Sequence, residues 1–282
     1  MIDIIIVLTY FLVVIIAAFS GRIKNLTSEE YFLSSRNLKW YSIAISTIAT
    51  NVQGYQFLGM MGSAYLFGIA QASLEINAIQ GLFIAAFIFV PLFLKEKIIT
   101  ISQFIKIKLG KTLSNTYSIT YLLFFSTITI GAALFWGAYA TDAVFGEELS
   151  FLSESRFYRI GVLIIFLGCF SALYTFFGGL SAVVRTDIIQ FSVLTFGGLT
   201  ILAICLIKLG GWNKLYELSP EKMHLYLRSD HKYLPWTHIL GLFFLNINYW
   251  CANQTVIQRS LAAKSLGHAQ TGLMVGAVSY TH

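Results

Sequence analysis

Residues 49–59, A-T-N-V-Q-G-Y-Q-F-L-G, decide the fold. Three amide side chains, Asn51, Gln53 and Gln56, lie with Gly54 in the middle of a run that is otherwise apolar. Unpaired amides are costly in hydrocarbon, so we expect them to face protein or water. A glycine between amides lets a helix break, and the backbone groups freed by a break are tolerated only where they line a cavity or bind a ligand. The alternative is a packing glycine in a continuous helix.

The composition places this run in a membrane. The chain has 282 residues, of which 57% are hydrophobic and 11% are charged, whereas soluble domains carry about 25% charged residues. We therefore predict an all-α polytopic membrane protein with the lipid bilayer as its surroundings. The net charge of +6 is assigned to loops on the cytoplasmic side and not to nucleic-acid binding. We find no nucleophile–base pattern or phosphate-binding glycine loop, so we expect no enzyme, and we infer no obligate protein partner.

Apolar segments of about 20 residues predict seven complete spans and the start of an eighth. They lie at about 2–20, 40–69, 71–94, 117–145, 157–178, 182–207 and 236–254, and then from 270 onward.

The distribution of basic residues predicts that the N-terminus is outside the cell. That orientation puts twelve basic residues inside, namely Arg22, Lys24, Arg36, Lys39, Lys95, Lys97, Lys106, Lys108, Lys111, Arg185, Arg259 and Lys264. It puts seven outside, namely Arg156, Arg159, Lys208, Lys214, Lys222, Arg228 and Lys232. We therefore expect a multi-pass protein of the cell membrane.

A second polar cluster lies at the same predicted depth as residues 49–59. Asn246 and Asn248, followed by Tyr249, fall near the middle of the seventh span. Each amide could make an interhelical hydrogen bond, but two clusters at one depth favour a polar pocket at the midplane.

Three carboxylates lie in or near the spans. Glu75 comes one turn into the third span from the outside and could accept hydrogen bonds from hydroxyl groups. Asp142 falls at the outer end of the fourth span, where we expect an interfacial residue. Asp187, close to Arg185, lies about five residues into the sixth span from the inside. It could pair with a basic group there or serve as a cation relay at the level of Ala49.

Four segments of the chain resemble the solute:sodium symporter family, and most closely its sodium/glucose branch. They are Y-F-L-S-S-R-N-L-K-W at 31–40, A-T-N-V-Q-G-Y-Q-F-L-G-M-M-G-S-A-Y at 49–65, G-G-L-S-A-V-V-R-T-D-I-I-Q at 178–190 and N-Y-W-C-A-N-Q-T-V-I-Q-R-S-L-A-A-K-S at 248–265. The resemblance implies the LeuT-type fold of two inverted five-helix repeats with one extra span before them. In a single transporter domain at 1–277, the first repeat would cover about 40–207 and the second would begin at 236–277.

The resemblance also implies roles for individual residues. The positions that match sodium-binding or cation-coupling residues are Ala49 and Val52, through their backbone carbonyls, and Asp187. The positions that match sugar-contacting residues are Asn51, Gln56, Glu75 and Asn246, with Tyr249 capping the sugar on its inner side.

The chain departs from the sugar symporters at several of these positions. Ala78 replaces a serine, Asn248 replaces a second tyrosine, and Gln53 and Tyr55 also differ. A lysine of the eighth span would align near Tyr280. A sugar or a similar polar solute remains the expectation despite these differences, but they leave galactose in particular unsupported.

We expect the chain to be truncated, because members of the family are much longer and their remaining sodium ligands lie in a later span. Residues 278–282, V-S-Y-T-H, are polar where the eighth span should continue. They can be encoded by GTC TCT TAT ACA CAT, which resembles a transposon-adapter sequence used in library preparation. We therefore suspect that these five residues are not native.

The expected function of the complete protein is sodium-coupled uptake of a sugar or similar solute by alternating access, with Na⁺ as the coupling ion. One alternative is a symporter for another organic solute, such as an amino acid or a carboxylate. The other is the membrane sensor region of a signalling protein, which would carry a cytoplasmic kinase-type region.

Overall fold

The computed structural model describes residues 2–21 and 27–281, and its regular elements are helices throughout this part of the chain. This confirms the predicted all-α class. Arg22 and Lys24, which were assigned to an inner loop, lie outside the described residues, as does His282 of the suspected tail.

Fifteen α-helices follow one another along the described residues. They are α1 (Ile2–Phe19), α2 (Ser28–Leu33), α3 (Trp40–Asn51), α4 (Met61–Phe67), α5 (Ala72–Ile76), α6 (Ala78–Ile84), α7 (Val90–Lys95), α8 (Ile101–Leu109), α9 (Lys111–Phe124), α10 (Ile130–Phe145), α11 (Arg156–Leu209), α12 (Trp212–Leu218), α13 (His238–Ile247), α14 (Gln254–Leu261) and α15 (Leu266–Thr281). Wider π-helical turns at Gln56–Met60, Ala85–Phe89, Phe125–Thr129 and Asn248–Ala252 continue several of them.

Helix α11 contains two of the predicted spans. Its 54 residues are interrupted at Gly179, where φ is +57°, a backbone conformation that glycine adopts at little cost. A Cβ atom there would lie 2.6 Å from the carbonyl oxygen of Tyr31. The glycine therefore allows both the kink and the close approach of α2, between the predicted fifth and sixth spans.

Four helical segments of the described chain are long and apolar enough to cross a membrane. They are Ile2–Phe19, Leu58–Lys95, Lys111–Phe145 and Arg156–Leu209. Helices α3 and α13 have only 12 and 10 residues, because the predicted second and seventh spans are both interrupted. A continuous membrane helix needs about 20 residues, so these two spans can be recognised only when the parts on either side of each interruption are joined.

Close packing at glycines holds the interrupted helices in place. Helix α15 packs along α3, and a Cβ atom on Gly272 would lie 2.7 Å from Cβ of Ile43. Helix α6 packs on α13, and a Cβ atom on Gly81 would lie 2.6 Å from the carbonyl oxygen of Asn246. These contacts bring the two polar clusters of the sequence to the same part of the molecule.

Asp142, at the outer end of the predicted fourth span, is buried within the protein. Its carboxylate accepts hydrogen bonds from Nε of Arg159 at 2.7 Å and from Nε of Arg156 at 2.9 Å. Burial of a carboxylate is tolerable when it is paired in this way, so the two arginines explain why it can lie inside the protein.

Candidate functional site

The helix that carries the polar run is broken at Val52 and Gln53. Helix α3 ends at Asn51, and Val52 has an extended backbone with φ −86° and ψ 112°. In a continuous helix the Gln53 amide would donate to the carbonyl of Ala49, whereas here it donates to the side chain of Gln56. The break next to Gly54 thus takes the Ala49 carbonyl out of the regular helical pattern, as binding of a cation would require.

The side chain of Gln56 joins the two sides of this break. Its Oε1 accepts from the backbone amide of Gln53, and its Nε2 donates to the carbonyl of Asn51 at 2.8 Å. Both backbone groups would otherwise be unsatisfied. Gln56, which the family resemblance relates to sugar binding, therefore holds the broken backbone in this structure.

The predicted seventh span is also broken, although a continuous helix was expected there. Helix α13 passes into the π-helical turn at Asn248–Ala252, and Asn253 is extended with φ −78° and ψ 119° before α14 begins. Oδ1 of Asn253 caps α14 by accepting from the amide of Thr255 at 3.0 Å. An asparagine directly before a helical pattern is a typical N-cap signal, so the break could have been recognised.

Two tyrosines of α9 support this second break. Tyr121 donates its hydroxyl hydrogen to Oδ1 of Asn253 at 3.1 Å, and Tyr117 donates to the carbonyl of Ala252 at 3.2 Å. The carbonyl and the amide side chain at the interruption are thus satisfied by side chains from a helix far away in the sequence.

A cavity of about 400 Å³ lies where the two broken helices meet. Its lining combines amides, a carboxylate and aromatic rings, contributed by Asn51, Gln53, Tyr55, Leu74, Glu75, Ala78, Leu242, Leu245, Asn246, Tyr249 and Trp250. Four of the five predicted solute-binding residues are therefore brought together, namely Asn51, Glu75, Asn246 and Tyr249. The fifth, Gln56, is absent from this lining.

Hydrogen bonds connect the broken helices across the cavity. The Tyr249 hydroxyl donates to Oδ1 of Asn51 at 2.5 Å, and Nδ2 of Asn51 donates to the carbonyl of Thr47 at 2.5 Å. Nδ2 of Asn246 donates to the carbonyl of Asn77 at 2.9 Å. Tyr249 and Asn51 therefore form one side of the cavity as a pair.

Of the predicted cation-binding residues, Ala49 and Val52 lie three residues apart at the end of α3, whereas Asp187 lies on α11 and does not line their groove. Ala49 and Val52 line a separate groove of about 420 Å³, together with Tyr10 and Gln190. Asp187 instead contacts Ser46, one helical turn before Ala49, and accepts a hydrogen bond from its hydroxyl. The α3 residue that contacts Asp187, Ser46, therefore lies about one turn away from Ala49.

Asp187 is part of a buried cluster that joins three helices. Nη2 of Arg259 lies 3.7 Å from Oδ2 of Asp187, and Nε of Arg259 donates to Oγ of Ser46 at 3.0 Å. Asp187 is 5% exposed and Arg259 is 7% exposed. The cluster therefore connects α3, α11 and α14 through charged and polar groups away from water.

The partner of Asp187 was not evident from its neighbours in the sequence. Arg185 points to α1, where it donates to the carbonyls of Ala17 at 3.1 Å and Ala18 at 2.8 Å. Arg259 lies 72 positions further along the chain, so no local pattern connects it with Asp187.

Comparison with known proteins relates this geometry to membrane transporters. The model of the sodium:solute symporter family matches residues 31–280. A sodium/glucose cotransporter of Vibrio parahaemolyticus is 34% identical over 263 residues, covering 89% of this chain and 46% of the relative. A sodium/myo-inositol cotransporter 2 of Oryctolagus cuniculus is 29% identical over 300 residues, covering 98% of this chain and 42% of the relative.

The fold is also that of a solved symporter. The structure of a Na⁺-coupled sialic acid symporter in a substrate-bound outward-open state superposes with a TM-score of 0.79 and 18% identity, covering 99% of this chain and 57% of that one. The chain spans less than half the length of the two curated relatives. These relatives are transporters and not enzymes, in agreement with the expectation from the sequence. From the family match and the shared fold, we conclude that this chain belongs to the sodium:solute symporter family, whose members are multi-pass membrane proteins.

Proposed function

We propose that the complete protein couples inward movement of Na⁺ to uptake of a sugar or similar polar solute by alternating access. The observation that carries this proposal is the polar cavity of about 400 Å³ between two broken helices. Broken helices that meet at the membrane midplane are the usual location of substrate and ion sites in secondary transporters. The names of the sodium/glucose and sodium/myo-inositol relatives support the same class of solute.

The coupling ion in this proposal binds to the backbone at the first break. The carbonyls of Ala49 and Val52 are the candidate ligands, because the Gln53 amide donates to Gln56 instead of continuing the helix. Asp187 in α11 accepts a hydrogen bond from Ser46, which lies one turn before Ala49 on α3, and it is the candidate cation relay through that serine. The carbonyls and the carboxylate are oxygen ligands, as expected for a hard cation.

The charge of the cavity favours a neutral solute. Its described lining contains one carboxylate, Glu75, and neither lysine nor arginine. An anionic solute would meet this carboxylate and no lysine or arginine among the described lining residues, whereas hydroxyl groups can donate to the carboxylate and can exchange hydrogen bonds with amides. Asn51, Glu75, Asn246 and Tyr249 are the proposed solute-binding residues, and Gln56 supports them from the break.

The architecture proposed for the whole protein is the inverted-repeat arrangement, with residues 40–207 as the first repeat and the second beginning at 236. The N-terminus is placed outside the cell by the distribution of basic residues. The interrupted helices α3 and α13 would then occupy corresponding positions in the two repeats, which is consistent with their meeting at one cavity.

Uptake into proteoliposomes tests the proposed function. The protein should be expressed from its complete native reading frame and supplied with radiolabelled D-glucose, myo-inositol, an amino acid mixture and a monocarboxylate. We expect an inward Na⁺ gradient to accelerate uptake of at least one neutral polyol at least about 10-fold over a K⁺ gradient, because the solute binds better to the sodium-loaded state.

Two results would contradict the proposal. Polyol uptake at the same rate in both gradients would exclude sodium coupling. Sodium-dependent uptake of the amino acids or the monocarboxylate alone would exclude a polyol as the solute. A protein that binds polyols but carries none across the membrane would instead support a sensor role.

A further inference from the structure

The amide side chains around the cavity differ in whether the protein already uses them. The Asn51 amide is bonded to Thr47 and Tyr249, and Nδ2 of Asn246 is bonded to Asn77. The Gln56 amide holds the break. Asn51 and Gln56 thus use both carboxamide atoms within the protein and Asn246 uses its nitrogen, so each has less capacity left for a solute than a carboxamide that makes no hydrogen bond.

Gln53 is different, because its carboxamide makes no hydrogen bond within the described residues. Only its backbone amide is engaged, by the side chain of Gln56. The residue lies half-buried in the extended break and lines the cavity together with Glu75 and Tyr249. A partly buried amide without a partner is unfavourable unless water or a ligand satisfies it. A hydrogen-bonding group is therefore available to a solute at this position without any rearrangement.

We propose that Gln53 determines the specificity of this site by recognising two adjacent hydroxyl groups of a neutral cyclic polyol. A carboxamide presents a donor, Nε2, beside an acceptor, Oε1. One hydroxyl of a vicinal diol donates to Oε1 while its neighbour accepts from Nε2. The inference rests on the proposed function, and it adds the chemical group of the solute that is recognised and the residue that binds it.

The surroundings of Gln53 complete this recognition. Tyr55, two residues later, lines the same cavity, and its hydroxyl oxygen lies 3.3 Å from Nε2 of Gln56. The Tyr55 hydroxyl is thus already in contact with the protein, and the ring remains as an apolar wall. A cyclic polyol has C–H faces that pack on such a ring and edges that carry hydroxyls, so the lining matches both surfaces.

A comparison of solutes with variants tests this assignment. Binding of radiolabelled myo-inositol and D-glucose, each against a monodeoxy analogue, should be measured for the complete wild-type protein, Gln53→Leu and Tyr55→Phe in Na⁺ buffer. In the wild type, removal of the recognised hydroxyl should weaken binding about 10-fold, which is the usual net effect of losing one neutral hydrogen bond. Gln53→Leu should weaken binding of the parent polyol by a similar factor and should abolish the difference between polyol and deoxy analogue.

A control variant and the sodium dependence of the wild type distinguish failure of this inference from failure of the proposed function. Tyr55→Phe leaves the Gln53 amide in place and should therefore preserve the penalty for the deoxy analogue. Suppose that polyol binding to the wild type depends on sodium. The role of Gln53 in specificity is then overturned if Gln53→Leu still binds the deoxy analogue as much more weakly than the parent polyol as the wild type does. Absence of sodium-dependent polyol binding in the wild type would overturn the proposed function together with this inference.

Discussion

Replacement of Arg259 by alanine should destabilise the protein by about 3–5 kcal/mol, because it leaves the buried Asp187 carboxylate without its counter-charge. Both side chains are less than one-tenth exposed, and Arg259 also donates to Ser46. The loss should be seen as a lower apparent melting temperature of the purified protein in detergent.

Two further variants show whether the lost charge is the cause. Arg156→Ala removes a more exposed arginine from Asp142, which keeps its hydrogen bond to Arg159. That change should cost only about 0–1 kcal/mol. Replacement of Asp187 and Arg259 together by leucine should restore most of the stability, since an apolar pair avoids the unpaired charge. A double leucine variant that is no more stable than Arg259→Ala would contradict the explanation.

Replacement of Gly54 by alanine should lower sodium-driven uptake at least about 10-fold, although the change adds a single methyl group. The new Cβ atom would lie 2.8 Å from the carbonyl carbon and oxygen of Trp136 in α10. These are backbone atoms of a helix and cannot turn aside like the end of a side chain. Relief of such overpacking costs about 1–3 kcal/mol, and it would displace the break that presents the carbonyls of Ala49 and Val52.

Gly62→Ala is the matched control for this second prediction. Gly62 lies in α4, eight residues further along the same interrupted span, and an added Cβ would meet nothing within 4 Å. Uptake by this variant should equal that of the wild type, because alanine is favoured over glycine inside a helix. If Gly54→Ala were equally active, the tight contact with α10 would have no part in forming the site.

The sequence predicted the position of the polar cavity better than the hydrogen bonds around it. Amides at one depth in two spans indicated a pocket, and the structure brings Asn51 and Asn246 into one cavity. The polar run around Gly54 also indicated a broken helix, and the interruption lies at Val52 and Gln53. Depth follows from counting residues along a span, so a single sequence contains that information.

The partners of these residues could not be predicted, because they depend on how distant helices pack. Gln56 was related to solute binding, but its amide holds the backbone of its own break. Asp187 had a basic neighbour in the sequence, but its partner is Arg259 in α14. The break before α14 at Asn253 was also not predicted, because the seventh span was expected to be one continuous helix.

We propose that one arrangement of the broken helices binds Na⁺ and a polar solute together. Equilibrium binding of radiolabelled D-glucose and myo-inositol to the complete purified protein, in Na⁺ and in K⁺ at equal ionic strength, tests it most directly. We predict about 5–150-fold tighter binding of one of these polyols in Na⁺, and an equal increase in Na⁺ affinity when that polyol is present, because coupling between two sites is reciprocal. Equal polyol affinity in the two salts would contradict the claim.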